Sequence, residues 1–249
     1  WEKVAKPDNT RLMAIDDIAD RAHICDLLMD QNLGRKPKDY TQRIPAECRM
    51  LIGPRYALVR PEFGEARKKI ENMPLAKRPN NWLACVGGHD THHILGKIVS
   101  AWEVLPTPKL TLVVGSGSPN LEDLKKRVAS IKDVTLHVQS DNMAQLMADA
   151  NLFIGTTGGI SWERCCLGLP AIMGMIADNQ APNLAALDAH GTGINIGKWQ
   201  DIQVPALTKI FKTALADPKT LENMAAKSAE LVDGQGAERV AVAITNFGV

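Results

Sequence analysis

A doubly wound α/β fold with a parallel sheet is what this sequence predicts, and three observations predict it. Apolar runs of strand length alternate with longer stretches whose apolar residues recur at helical spacing. Several strand-to-helix joints are rich in glycine, which lets backbone pass close to a ligand at the carboxyl edge of such a sheet. The chain has 249 residues, 45% hydrophobic and 23% charged, enough for one large or two small soluble domains.

The elements follow in order. Residues 12–15 read as a buried strand and Asp16-Asp17 as its loop, where capping is a more ordinary role than magnesium binding. Residues 25–29 form a second short strand, closed by Asp30-Gln31-Asn32. A third, irregular piece covers 48–52, Gly53-Pro54-Arg55 and 56–60, and Pro61 ends it. A charged helical stretch is expected over 65–72. Residues 73–81, rich in proline and positive charge, read as a linker. The expected domains are therefore 1–76, with few helices to cover its strands, and 77–249. Beyond the linker, strands are expected at 82–86, 110–114 and 134–138, and helices at 92–105, 121–131 and 143–150. A strand starting near Phe153 then leads through a glycine-rich turn into a helix, a proline stop, another strand and the polar loop Asp178-Asn179-Gln180. A loop around Gly191-Thr192-Gly193 and helices at 207–215 and 218–231 complete the pattern. Right-handed crossovers would set all the glycine-rich loops along one edge.

Composition narrows the function classes. A net charge of +1 favours neither nucleic acid nor a membrane surface, and aromatic residues, 4% of the chain, are too few for base-stacking platforms. No apolar run reaches membrane-spanning length and no signal peptide is visible. Five cysteines without C-x-x-C spacing argue against a disulfide framework or a zinc site, and fit core residues in a reducing cytosol.

The most informative turn is Thr157-Gly158-Gly159-Ile160-Ser161. Glycine permits a close ligand approach, and the helix that follows aims free N–H groups and a positive dipole end at it. A phosphate is the expected occupant, with Ser161 or Thr157 as a simple helix cap the alternative. Glu163, about one turn further on, is within reach of ribose hydroxyls. Gly87-Gly88-His89-Asp90 is a second strand-to-helix turn bordering the same cleft, with Asp90 expected as an N-cap. His92 and His93 face differently on a helix, so no metal is expected from this cluster. Gly115-Ser116-Gly117-Ser118 lacks the Gly-Lys-Ser/Thr ending of a triphosphate loop. Asn179 and Gln180 offer neutral donors and acceptors suited to sugar hydroxyls or an acetamido group.

These residues carry two resemblances. The second half resembles the carboxyl domain of GT-B glycosyltransferases, notably the UDP-N-acetylglucosamine transferase of peptidoglycan synthesis. Val138-Gln139-Ser140-Asp141-Asn142-Met143 is similar to that family's segment at the uracil ring, which brings in Gln139 and Met143. The turn at 157–161 resembles its diphosphate turn, Glu163 its ribose carboxylate, and Asp178-Asn179-Gln180 its donor-sugar loop. The first half resembles the UDP-2,4-diacetamido-2,4,6-trideoxy-β-L-altropyranose hydrolases of pseudaminic acid synthesis. Ile15-Asp16-Asp17, the run from His23 to Asn32, Asp39-Tyr40 and Gly53-Pro54-Arg55-Tyr56-Ala57-Leu58-Val59-Arg60-Pro61-Glu62-Phe63 carry this, with Gly87-Gly88-x-Asp90 and Pro119-Asn120-Leu121.

The resemblance implies a GT-B-like fold, with a complete C-terminal Rossmann-like parallel-sheet domain preceded by a truncated N-terminal Rossmann-like domain. It implies UDP and a UDP-diacetamido-trideoxyhexose as ligands, no cofactor and no metal, and a cytoplasmic enzyme. Such hydrolases begin with a strand and a Gly-x-Gly-His-like turn whose histidine is the base. Neither is present, and Trp1-Glu2 looks like a Trp-Glu pair lying well inside the family's pattern. The expectation is a fragment lacking roughly the first third, with its base ahead of Trp1. A UDP-hexosamine transferase and a non-catalytic nucleotide-sugar-binding module are the other two readings.

Overall fold

The computed structural model describes residues 2–5, 10–106 and 108–246; Trp1, noted above, lies outside them. Two parallel sheets form, one from each part of the chain. After the short helix α1 (Glu2–Ala5), strands β1 (Met13–Ile15), β2 (Leu27–Asp30) and β3 (Arg49–Ile52) pair in that order, Met13 opposite Leu27 and Leu27 opposite Arg49. All four side chains of β2 are buried, the mark of a central strand covered on both faces. Cys25, Tyr40 and Cys48 pack with Leu28 on one side of this first lobe.

The second lobe holds a six-stranded sheet: β4 (Asn81–Cys85), β5 (Lys109–Val114), β6 (Val134–Val138), β7 (Leu152–Thr156), β8 (Ala171–Met175) and β9 (Gly193–Lys198). Their spatial order is β6-β5-β4-β7-β8-β9, all parallel. The order reverses between β4 and β7, which makes the carboxyl ends of these two strands the topological switch point of the sheet. Helices α2 (Pro61–Ile70), α3 (Ile94–Trp102), α4 (Leu121–Val128), α5 (Met143–Ala148), α6 (Ile160–Cys166), α7 (Ala181–Ala189), α8 (Val204–Ala216), α9 (Pro218–Leu231) and α10 (Gly236–Thr245) complete the described residues. One core lies on each face of the larger sheet. Trp82 and Phe211 meet edge to face with centroids 5.1 Å apart in one of them.

Packing crosses the boundary expected between residues 76 and 77 at both ends. Phe63, Ala66 and Ile70 of α2 are buried in the second lobe's core. Arg67 pins that helix by donating from Nη1 to the carbonyls of Cys166 (2.7 Å) and Val232 (2.9 Å). In return Val240 and Ala243 of α10 pack on Leu27, Met29 and Leu51 of the first sheet. Arg239 fastens α10 there, donating to the Arg55 carbonyl at 2.9 Å and to the Asp233 carboxylate at 2.8 Å.

Several expectations are corrected. Pro61 does not end an element but opens α2, where its missing N–H is harmless and its fixed φ suits a helix. Residues 73–81 are no free linker: Leu75 and Arg78 are buried, Arg78 Nη2 donates to the Leu167 carbonyl at 2.6 Å, and Asn81 already belongs to β4. The loop at 191–193 leads into β9, and helices α7 and α10 add to those the sequence pattern predicts. No helix among the described residues is long and apolar enough to cross a membrane.

Candidate functional site

The carboxyl ends of the strands gather the glycine-rich turns, as the topology requires. Gly87 and Gly88 follow β4, residues 115–118 follow β5, Gln139 follows β6, Thr157 and Gly158 follow β7, and Asn179 and Gln180 follow β8. The turns interlock. A Cβ on Gly115 would stand 2.0 Å from the carbonyl oxygen of Gly88, so only glycine lets these two loops approach. Ser116 Oγ donates to Gln139 Oε1 at 3.3 Å, joining the next pair.

The turn between β7 and α6 is built to leave donors free. Thr157 N–H still belongs to the sheet, bonding the Gly174 carbonyl at 3.1 Å, and Gly158 takes φ of 148°. Ser161 Oγ accepts from the Gly158 N–H at 3.4 Å, while the N–H groups of Ser161 and Trp162 bond back to Gly158 and Gly159 at 3.0 Å. The N–H groups of Gly159 and Ile160 have no partner among the described residues. Gly159 is exposed and nothing lies within 4 Å of where its Cβ would be. Two adjacent unpaired N–H groups facing open space at a helix start suit an anion. Ser161 closes the turn without capping the helix, whose N-cap is Gly159 and takes no side-chain hydrogen bond. Thr157 Oγ1 is buried without a partner.

Glu163 sits in the first turn of α6, mostly buried, with Arg60 Nε 3.8 Å from its Oε1. Burial pushes its pKa above the usual carboxylate value; Arg60 pulls it down and Glu62 pushes it up, and burial wins. Arg60 itself lies 2.9 Å from Glu62 and over the Phe63 ring. It comes from the Arg-Pro-Glu-Phe run, where only the resemblance draws attention to it.

A cavity of about 410 Å³ separates the lobes. Gly158, Asn179, Gln180 and Asn183 line one wall, Asp17, Asn32, Leu33 and Arg35 the other. Of the residues expected at a site, only Gly158, Asn179 and Gln180 line it; Gly87, Gly88, Gln139, Ser161 and Glu163 stand outside its lining. Asn179 is exposed and available. Gln180 is not: its Oε1 accepts from Ile176 N–H at 2.9 Å and its Nε2 donates to the Thr157 carbonyl at 2.8 Å. Its amide staples the 176–180 loop to the glycine turn. The Met143 side chain is buried in the core at 8% exposure, because it starts α5 on the face that packs against the sheet. Asp90 is not the N-cap expected of it, a position that His93 takes at φ of 53°, but its carboxylate does a cap's work from three residues earlier, accepting from Ile94 N–H at 2.7 Å and Leu95 N–H at 2.9 Å. Asn32, Arg35 and Asn183 carry no site signal of their own in the sequence, since loops distant along the chain bring them to the cavity.

Comparison with known proteins places these features. The spore coat polysaccharide biosynthesis protein SpsG of Bacillus subtilis (strain 168) is 26% identical over 201 residues, 79% of this chain and 58% of that protein. The UDP-2,4-diacetamido-2,4,6-trideoxy-β-L-altropyranose hydrolase of Campylobacter jejuni is 30% identical over 154 residues, 61% of this chain and 53% of that protein. The chain thus spans little more than half the length of these two relatives. Among solved structures, the Acinetobacter baumannii MurG crystal structure is 18% identical with a TM-score of 0.66, covering 96% of this chain and 67% of that one. UDP-GlcNAc 2-epimerase from Neisseria meningitidis is 15% identical with a TM-score of 0.65, covering 89% and 62%. At such identities the likeness carries the fold, which is parallel-sheet α/β of GT-B type. The family model for the glycosyltransferase family 28 C-terminal domain matches residues 84–240, more than half of the chain and all of the turns described above from Gly87 to Gln180, and the chain belongs to that family.

Proposed function

We propose that this chain holds a UDP-sugar and that the enzyme it represents hydrolyses UDP-2,4-diacetamido-2,4,6-trideoxy-β-L-altropyranose to UDP and the free sugar. The observation that carries the first part is the pair of N–H groups at Gly159 and Ile160, unpartnered among the described residues, about one helical turn from the mostly buried carboxylate of Glu163. The diphosphate lies on those N–H groups, the ribose hydroxyls on Glu163, and the sugar in the cavity beside Asn179. The second part is supported by the 30% identity to the Campylobacter jejuni hydrolase and by the first-half motifs.

In this reading water attacks the anomeric carbon while the bond to the β-phosphate oxygen breaks and its electron pair leaves with UDP. Oriented N–H dipoles need no reorganisation to meet that charge, and such donors are each worth on the order of 10²–10³ in rate in other enzymes. The reading assigns this chain the holding of UDP; the base of the hydrolases it resembles is a histidine, and the carboxyl groups among the cavity's lining residues are those of Asp17 and Asp178. Isothermal calorimetry is expected to detect weak UDP binding, and a reducing-sugar assay no release by the 249 residues. A flat titration would overturn the binding site; sugar release would overturn the division of labour. The family 28 match favours a second reading, a UDP-hexosamine-dependent glycosyltransferase of GT-B type. A rate that depends on an added acceptor would decide for it.

The Glu163 assignment has a pH signature. Ribose hydroxyls donate to a carboxylate and lose that acceptor when it is protonated. Because burial raises the Glu163 pKa, protonation begins above the range where a surface glutamate titrates. UDP affinity is therefore expected to fall as the pH drops through that raised pKa. Glu163→Gln should bind more weakly at neutral pH and lose that part of the profile; identical profiles for the two proteins would rule the role out.

A further inference from the structure

A nucleoside diphosphate brings several negative charges, and the glycine turn meets them only with neutral N–H groups. Among the side chains lining the cavity, one is cationic, Arg35 from the first lobe. Asp178 on the opposite wall is offset by Lys198 at 2.8 Å. Arg35 is not a loose surface arginine. Its Nε donates to Asp30 Oδ2 at 2.6 Å and its Nη2 to the Asp17 carbonyl at 2.9 Å. Asp30 is wholly buried and is held in turn by the Tyr40 hydroxyl, 2.8 Å from Asp30 Oδ2 and 2.9 Å from Asp16 Oδ2. The guanidinium also lies over the Tyr40 ring, 5.9 Å from its centroid. Fixed this way, Arg35 has one nitrogen left: Nη1 takes no partner among the described residues.

Resting on the UDP reading above, we propose that Arg35 Nη1 donates to the β-phosphate of the bound nucleotide and closes the diphosphate site from the first lobe. A guanidinium keeps its charge at any working pH and makes short, strong bonds to phosphate oxygen. The buried Asp30–Tyr40–Asp16 network sets its rotamer in advance, so little side-chain entropy is lost on binding. Asp30 offsets part of the charge, but a donor remains on Arg35, and among the residues that line the opposite wall there is no cationic side chain. The sequence marks this residue only by its place just beyond the second strand.

Calorimetry on the whole chain with UDP and UMP as the probes separates the outcomes. Arg35→Gln is expected to weaken UDP on the order of 10- to 100-fold, the loss typical of a charge-assisted hydrogen bond, and to leave UMP unchanged. UDP binding equal to that of the native chain would overturn the proposal, as would equal losses for UDP and UMP. Should the variant fold poorly, phenylglyoxal labelling of the native chain gives the second reading. UDP but not UMP should protect Arg35, and labelling indifferent to UDP would overturn the contact. A native chain that binds no UDP would instead overturn the nucleotide reading, a result visible before any variant is measured.

Discussion

Gly159→Leu is expected to abolish measurable UDP binding, a loss of at least about 100-fold, while changing unfolding free energy by less than about 1 kcal/mol. The two halves of this result rest on separate observations. Gly159 has helical φ of −55° and ψ of −36°, a conformation any residue adopts. It is exposed, and no atom lies within 4 Å of the place a Cβ would take, so a leucine side chain starts into open space. Leucine is also the better helix former, which offsets the exposed apolar surface. The same open space is where phosphate oxygens must sit to reach the Gly159 and Ile160 N–H groups, and four added carbons fill it. Gly115→Ala is the contrasting control, because its Cβ would meet the Gly88 carbonyl at 2.0 Å and fold stability should fall instead. Urea denaturation and calorimetry on both variants make the comparison. A Gly159→Leu protein that binds UDP within threefold of the native chain would remove the diphosphate from this turn.

That contrast also marks what the sequence could disclose. The turn at 157–161 is legible because its requirements are local: glycine for close approach, a strand before and a helix after. Glu163 is legible by its spacing within the same helix. Met143 misleads because a segment pattern says nothing of which face of α5 meets the sheet, and Gln180 because a polar side chain looks free until the backbone groups around it are counted. Strand β9 is hidden by Gly193 and Gly197, the latter at φ of 72°, and by an irregular register between Met173 and Met175. The partner of helix α10 is likewise invisible in the chain around it, because it is the first sheet, nearly two hundred residues earlier. Arg35 and Arg60 belong to the same class, long-range placements set by how the lobes meet.

Arg164→Ala is expected to destabilise the fold by about 3–5 kcal/mol, the upper range for truncating a large buried side chain, here one on which several buried acceptors depend, and to do so from behind the same helix. The residue next to Glu163 is fully buried, yet among the described residues no carboxylate pairs with it. Burial pushes its pKa down, though an arginine remains charged at any ordinary pH. Neutral acceptors hold it instead. Nη1 donates to the carbonyls of Leu169 (3.2 Å) and Thr192 (3.1 Å) and approaches Ser228 Oγ at 3.4 Å; Nη2 donates to Thr192 Oγ1 at 3.2 Å. These acceptors lie at the end of α6, the entry to β9 and the body of α9, so one side chain ties three elements together. Alanine removes the tie, opens a cavity and strands buried carbonyls, each costing roughly 1–3 kcal/mol when unpaired. Arg164→Met separates these causes, since it keeps most of the volume and loses the donors. If the hydrogen bonds dominate, methionine should recover less than half of the alanine loss in urea midpoint at unchanged m-value. A methionine variant as stable as the native chain would mean that Arg164 is tolerated rather than required, as some buried ions are. The site then offers a further check: with α6 loosened, UDP affinity in Arg164→Ala should fall even at temperatures where the protein remains folded.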